Sequence, residues 1–296
     1  MKIPSYDEFR GALEDAVRIL KAEWENGYRG DLKFVKRRDG ILLIENGFNG
    51  DILVVGDLHG DYRSLAKALE LGKRADLVIF LGDYIDRGPL DEQIMVLYEL
   101  LSRIARGENI ILLRGNHEAP RGLEPSGQDF PYALYRFYGD NAGSLMELSK
   151  DLWDLMPYAL VIENHALLLH GGPPTRNLNA GLLEYLGVGS VDRMSVLEEV
   201  LWNDPIEADI VRAPNPRGAG SLWGRPVTDI ALGKVDGRVI IRGHEAVMTG
   251  HKWNHEGRVL TVFTSRIPVY PVESASVVLC RVAELEPHRE DCVRGL

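Results

Sequence analysis

Apolar and polar positions follow two different periods along this chain. Phe9, Leu13, Val17, Leu20 and Trp24 recur at helical spacing behind Ser5 and Glu8, a capping-box pair, which predicts an N-terminal helix. Residues 31–50 read as a hairpin, with apolar runs at 32–35 and 41–44 on either side of Asp39-Gly40. Four short unbroken apolar runs follow at 52–55, 77–81, 110–113 and 166–169, each ending in a turn. Unbroken runs of that length fit strands buried on both faces. Helical patterns at about 61–72 and 90–106 separate the first three, which predicts successive βα units.

Residues 119–131, rich in Pro and Gly, predict a loop, and helices at about 132–138 and 143–155 stop before Pro157. From Tyr158 the pattern is one of strands: 158–162, 166–169, 238–242, 258–263 and 276–283. A second turn-rich loop, Arg212 to Gly220, interrupts that half. There is no repeat and no Ser/Gly linker. The expectation is an α/β fold, a two-sheet sandwich in a single domain over 1–296. Its N-terminal helix and hairpin (about 1–50) pack on a core of about 51–283, with the loops gathered on one edge.

Composition narrows the partners. With 45% apolar and 26% charged residues the chain is ordinary for a soluble globular protein. A net charge of -10 argues against nucleic acid or an anionic membrane as partner. It does not argue against anionic substrates, because bound cations invert the local potential. No apolar run approaches the ~18–20 residues that span a bilayer. The first residues given carry no apolar h-region, so no secretory signal is predicted. Only Cys280 and Cys292 are present, which implies neither a disulfide framework nor a metal site by themselves. The expected location is cytoplasmic.

The chemistry lies in what the apolar runs deliver. Gly56-Asp57-Leu58-His59-Gly60, Gly82-Asp83-Tyr84-Ile85-Asp86-Arg87-Gly88, Gly115-Asn116-His117-Glu118 and His170-Gly171-Gly172 each follow one; Arg242-Gly243-His244-Glu245 follows 239–241 in the same way. Asp57, His59, Asp83, Asn116, His170 and His244 are oxygen and nitrogen donors suited to divalent metal. Asp57 and His59, two apart, share a face of an extended chain, and the Asp83 carboxylate has oxygens enough to bridge two ions. Two such ions ~3.5–4 Å apart acidify a shared water and clamp an in-line displacement at phosphorus. No Gly-x-Ser-x-Gly elbow competes as nucleophile. His117, beside Asn116, is the expected general acid, with Asp86 on its other ring nitrogen. Arg87 is suited to grip phosphate with a bidentate fork. The donor set accepts manganese, iron, zinc or cobalt, and manganese is the expected metal.

These motifs resemble the signatures GDxHG, GDxxDRG and GNHE of the phosphoprotein phosphatase (PPP) family of serine/threonine phosphatases, within the calcineurin-like metallophosphatases. The downstream HGG and RxH match in order, so the resemblance runs from about Asp51 to Leu279. It implies a metallophosphoesterase-like four-layer α/β/β/α fold. It also implies one metal on Asp57, His59 and Asp83 and a second on Asp83, Asn116, His170 and His244, with His117 and Asp86 as the acid pair and Arg87 as a phosphate clamp. Asn116 then also faces the substrate phosphate. Leu201-Trp202-Asn203-Asp204-Pro205 resembles the family's LWSDP segment, which implies a second phosphate arginine in the next loop: Arg217, with Arg212 and Arg225 as alternatives. Val262 to Tyr270 keeps little of the family's cysteine-containing C-terminal loop, and Tyr270 takes the tyrosine's place at the rim. The departures, including the longer 119–131 loop, fit a prokaryotic member.

The implied function is hydrolysis of phosphoserine and phosphothreonine in proteins by attack of a hydroxide bridging two metals. Phosphoproteins are the expected partners, with small aryl phosphates as further substrates. The rival readings are a dinucleoside tetraphosphate hydrolase, which shares the five motifs, a metallophosphatase-type nuclease, and a non-catalytic phosphoprotein-binding scaffold. Trp202 and Trp223 read as packing anchors. His165, His251, His255 and His288 have no partner pattern, and Lys36 to Asp39 reads as a solvated hairpin.

Overall fold

The computed structural model describes residues 2–30 and 32–296. Helix α1 (Tyr6–Asn26) starts at the expected capping box: Glu8 N–H donates to Ser5 Oγ at 3.3 Å and Ser5 N–H donates to Glu8 Oε2 at 2.7 Å. It packs beside α3 (Leu90–Ala105) and α5 (Ala142–Leu155), with α2 (Tyr62–Gly72) and α4 (Phe130–Tyr138) in the same helical array. Helix α4 begins two residues earlier than the pattern predicts, because Pro131 sits in its first turn, where a missing N–H costs nothing. The loop after the Gly115 motif is shorter by the same amount.

Two sheets face each other. One has five strands in the order Val293–Gly295, Ser276–Arg281, Asp51–Val55, Leu77–Phe80, Ile110–Leu112, the last three parallel. The other has eight, in the order Tyr28–Arg29, Leu32–Arg38, Ile41–Ile44, Ala159–Ile162, Ala166–Leu169, Val239–Arg242, Val259–Val262, His251–Asn254. The hairpin belongs to this second sheet, since Ile41–Ile44 pairs in parallel with Ala159–Ile162. Helices α6 (Leu182–Tyr185), α7 (Arg193–Trp202) and α8 (Arg225–Val235) complete the outer layer on that side. The four-layer α/β/β/α arrangement is as expected.

The unbroken apolar runs have a direct cause. In Asp51–Val55, Ile52 and Val54 point between the sheets while Leu53 and Val55 point at the first helical layer. In Ala166–Leu169, Ala166 and Leu168 face inward while Leu167 and Leu169 face the second helical layer. A strand covered on both faces has no position for a polar side chain until it ends. Each buried aliphatic chain contributes about 1.5–3 kcal/mol.

Several expectations change. Arg212–Pro214 is a strand, antiparallel to Ser221–Trp223, which pairs in parallel with Asp204–Pro205. The 212–220 stretch is therefore a hairpin whose tip carries Arg217; of its two prolines, read as breakers, Pro214 ends the first strand and Pro216 lies in the turn. His251–Asn254 is a strand too polar to announce itself. Arg37 is buried rather than solvated, with its guanidinium by Glu23 at 3.4 Å. His255 is buried between Thr228 Oγ1 at 2.7 Å and the Ile206 carbonyl oxygen at 2.9 Å. Among the described residues no helix is long and apolar enough to cross a membrane.

Candidate active site

Parallel register brings the polar loops to one edge. The strands ending at Val55, Phe80 and Leu112 run side by side in one sheet, those ending at Leu169 and Arg242 in the other. An isolated parallel bridge from Asp57 to Phe263 joins the two sheets at that edge. Asp57, His59, Asp83, Asp86, Asn116, His117, His170 and His244 are all buried there.

The backbone reaching this edge is bent into uncommon conformations. His59, Asp83, Asp86, Arg87 and His244 have φ of 48°, 57°, 64°, 73° and 69°. Each left-handed non-glycine residue costs on the order of 1–3 kcal/mol, so the three apolar cores and a dense set of hydrogen bonds must hold them. Glu118 supplies much of the second: its carboxylate accepts from the N–H groups of Asp83 and Tyr84 at 2.8 Å each and from Gly115 at 3.3 Å. A Cβ on Gly115 would lie 2.2 Å from Asp83 Oδ1, so the approach of these loops requires glycine there.

The histidine tautomers show what the centre is built to hold. A carbonyl only accepts, so the nitrogen facing it carries the hydrogen. His59 Nδ1 donates to the Ile85 carbonyl oxygen at 3.0 Å. Burial pushes the His59 pKa down to about 4, so its Nε2 presents a bare lone pair. That lone pair faces only acceptors, Asp83 Oδ2 at 3.4 Å and Asp57 Oδ2 at 3.7 Å. Asp57 Oδ2 is buried and has no hydrogen-bond partner, a costly state for a carboxylate oxygen. His170 repeats the pattern, with Nδ1 donating to the Leu81 carbonyl oxygen at 3.1 Å. Its Nε2 lies 2.8 Å from Asn116 Oδ1 and 3.4 Å from Asp83 Oδ1. Only a cation or a proton reconciles that nitrogen with two oxygens; burial lowers the His170 pKa, but the Asp83 and Asp57 carboxylates outweigh it and raise it. His244 Nδ1 lies 2.9 Å from the same Asn116 oxygen, and its buried Nε2 has no partner.

Convergent acceptors with orphaned atoms fit divalent cations. Carbonyl-anchored imidazoles are the arrangement that orients histidine toward metal. Among the described residues, Asp83, His170 and His244 present donor atoms within 4.8 Å of one another, as do His59, Asp83 and His117.

His117 differs from the others in chemistry. Its Nδ1 lies 2.6 Å from Asp86 Oδ2, and its Nε2 is 4.0 Å from Asp83 Oδ2. Burial works against its charge, yet the Asp83 and Asp86 carboxylates hold its pKa up to about 9. A charged imidazole has no lone pair for a metal, and its Nε2 carries a proton to give. Asp86 is fixed by N–H groups of Asp129 at 2.8 Å and Phe130 at 2.7 Å.

Over this edge opens a cleft of about 480 Å³. Arg87 and Arg217 both line it, with Trp202, Tyr270 and Val269 at the rim. Arg217 Nε donates to Asp204 Oδ2 at 2.7 Å, and that bond engages neither of the two terminal guanidinium nitrogens. Arg225 pairs instead with Glu207 and Asp209, and Arg212 lies exposed in its strand, so Arg217 is the arginine in position. Tyr270 lies against His59 with the rings tilted by 40° and their centroids 5.3 Å apart.

Residues 50–248 match the calcineurin-like phosphoesterase family. The chain belongs to that family. Solved structures that share its fold include the following two. A protein serine/threonine phosphatase from Saccharomyces cerevisiae aligns with a TM-score of 0.75 at 21% identity, over 99% of this chain and 89% of that one. A cold-active protein-tyrosine phosphatase of a psychrophilic Shewanella species aligns with a TM-score of 0.51 at 19% identity, over 88% of this chain and 82% of that one.

Four positions of this phosphoesterase had no role predicted from sequence, and a fifth, Trp202, had a different one. Glu118 and Arg242 were within motifs but had no role; Arg242 is fully buried and donates to Asp204, Glu245 and the carbonyl oxygens of Gly171 and Asn203. Gln93 accepts from Asp86 N–H at 3.0 Å and donates to Asp129 at 2.9 Å. The signal for it was a polar residue on the apolar face of a helix. Asp129 left no signal. Trp202 lines the cleft, with its ring centroid 5.5 Å from that of His244, rather than only anchoring packing as expected; Trp223 is the buried anchor.

Proposed function

We propose that this phosphoesterase is a metal-dependent phosphomonoesterase that removes phosphate from serine and threonine side chains of proteins. The observation that carries the reading is the His117–Asp86 pair at 2.6 Å beside convergent acceptor atoms, under a cleft flanked by Arg87 and Arg217. Asp57, His59 and Asp83 would hold one cation, and Asp83, Asn116, His170 and His244 a second; these donors accept manganese, iron, zinc or cobalt, and manganese is the metal proposed. Bound there, divalent cations supply Lewis acidity, acidifying a water and screening charge on phosphoryl oxygens.

The protein's own residues do the rest. Arg87 and Arg217 grip the outer phosphoryl oxygens from two sides and set the phosphorus in line. As the bond from phosphorus to the serine or threonine oxygen breaks, His117 Nε2 gives its proton to that oxygen, and Asp86 stabilises the ring's orientation throughout. The open rim suits a protein-borne phosphate: Val269 is 60% exposed and Arg87 is exposed as well.

The test is a comparison of kcat/KM for a phosphoserine peptide and for diadenosine tetraphosphate, with manganese titrated into metal-stripped protein. Metal-dependent turnover that favours the peptide supports the reading. A preference for the dinucleotide replaces it with the dinucleoside tetraphosphate hydrolase, and absence of metal-dependent turnover removes the enzyme.

A further inference from the structure

A second cavity, of about 280 Å³, adjoins the cleft, and three cationic side chains line it: Arg63, Lys67 and Arg266. None of the three has an ion-pair partner among the described residues, although the chain as a whole carries a net charge of -10. The cavity's two carboxylates are already engaged. Asp61 is buried and accepts from Ser64 N–H, Ser64 Oγ and Arg266 N–H, at 2.9, 2.7 and 2.7 Å, and Glu92 Oε2 accepts from Tyr62 N–H at 3.1 Å.

Three separate chain segments fix how close this cavity is to the cleft. His59, Arg87 and Val269 line the cleft, whereas Asp61, Pro89 and Pro268 line the second cavity. Each crossing takes one or two residues, and an extended residue spans about 3.5 Å, so the two spaces are neighbours separated by about 7 Å of chain or less. Two helices also begin here, α2 at Asp61 and α3 at Pro89, and α3 has no side-chain cap on its first N–H groups. Asp61 caps the first and Asp91 and Glu92 lie in the first turn of the second, so the cavity's positive character rests on the three cationic side chains.

We infer that this cavity is a subsite for a second anionic side chain of the substrate, a carboxylate or a further phosphate within a few residues of the phosphoserine or phosphothreonine being hydrolysed. The inference rests on the proposed protein phosphatase reading and names the class of protein segment it selects. A point charge on a flexible side chain suits Lys67, while the two arginines offer planar forks to either anion.

The experiment compares kcat/KM for phosphoserine peptides that carry glutamate, a second phosphoserine or glutamine at each of three positions on either side of the target residue. The wild-type protein and the variant R63A/K67A/R266A are assayed together, and hydrolysis of a small aryl phosphate shows that the variant retains its fold and chemistry. Anionic residues on one side of the target are expected to raise wild-type kcat/KM about tenfold over glutamine, an effect that the triple variant loses and that salt weakens. Equal turnover of anionic and neutral peptides by the wild type, or an unchanged preference in the variant, overturns the subsite and leaves the phosphatase reading standing. Hydrolysis of the aryl phosphate with no turnover of any phosphopeptide overturns the phosphatase reading and the subsite with it.

Discussion

The two sheets bring different kinds of support to their halves of the site. On the five-stranded side, carboxylates are pinned by backbone. Glu118 gathers the N–H groups of the 83–85 turn, and Asp86 takes those of Asp129 and Phe130. On the eight-stranded side, one carboxylate is shared by two arginines: Asp204 meets Arg242 at 2.9 Å through Oδ1 and Arg217 at 2.7 Å through Oδ2. Arg242 has no exposed side-chain surface, whereas Arg217 is 38% exposed. Backbone amides can fix a group to a fraction of an ångström because they move only with the loop. An ion pair on a long side chain leaves freedom to follow a ligand. On the proposed function, the first half would place the atoms that react and the second would receive oxygens that arrive in slightly different places.

The largest effect expected from this contrast is at His117. His117→Asn removes the Nε2 proton donor while its amide NH₂ can still donate to Asp86, and general acid catalysis contributes about 10²–10⁴-fold. Hydrolysis of an alkyl phosphate should fall by that order, and hydrolysis of an aryl phosphate with a good leaving group by much less. Equal losses for both would sink the acid assignment and make His117 a part of the scaffold.

Next is Asp204→Asn. It leaves the fully buried Arg242 with Glu245, at 2.7 Å, as its one remaining carboxylate, and losing part of a buried ion pair costs up to about 3 kcal/mol, to be read from denaturant unfolding. The pH dependence has a definite sign. Burial pushes the Asp204 pKa up, but Arg242, His244 and Arg217 outweigh it and hold it below the ordinary carboxylate value. A pKa lowered on folding means stabilisation that is complete above the unfolded value of about 3.9 and is lost as pH falls through the folded value. The wild type should therefore lose more stability on acidification than Asp204→Asn, and parallel curves would show that the pair contributes nothing.

Glu118→Gln tests the other half. The amide oxygen can replace one acceptor, but its NH₂ then faces an N–H donor, so the Asp83 turn loses its grip. Outer-shell support of this kind is worth about 10–100-fold in metal affinity, measurable by titrating manganese into stripped protein. Unchanged affinity would show that the apolar cores alone hold the turn.

The same contrast explains how much was legible beforehand. Asp57, His59, Asp83, Asn116, His117, His170 and His244 were readable because each follows a strand buried on both faces, where the first polar residue has to emerge at the sheet edge. The two-sheet sandwich was readable for the same reason, whereas the full set of four layers came from likeness to a family. Gln93, Asp129 and the partners of Glu118 were not readable. Their contacts are backbone N–H groups brought close only by the fold, and any residue type offers those. Arg217 was reached through likeness to a family segment, and its tip position depends on short strands that the prolines concealed. Arg37 was misread because a run of charges cannot say which of its members turns inward.

The smallest effect, and the finest test, is Arg217→Lys. Lysine keeps the charge and can still reach Asp204, but it loses the planar fork that would hold Asp204 with one edge and a phosphoryl oxygen with another. If the eight-stranded half serves mainly to receive the phosphate, ground-state and transition-state binding weaken together. KM for a phosphopeptide should then rise about threefold to tenfold with little change in kcat. A fall in kcat at constant KM would mean that Arg217 acts only as charge develops at phosphorus, as tightly placed as His117, and the division between a fixed and an accommodating half would be wrong. Arg87→Lys provides the control from the fixed side. Arg87 sits at φ 73° on a turn whose N–H donates to Asp129 at 3.3 Å, so its substitution is expected to lower kcat as well as raise KM.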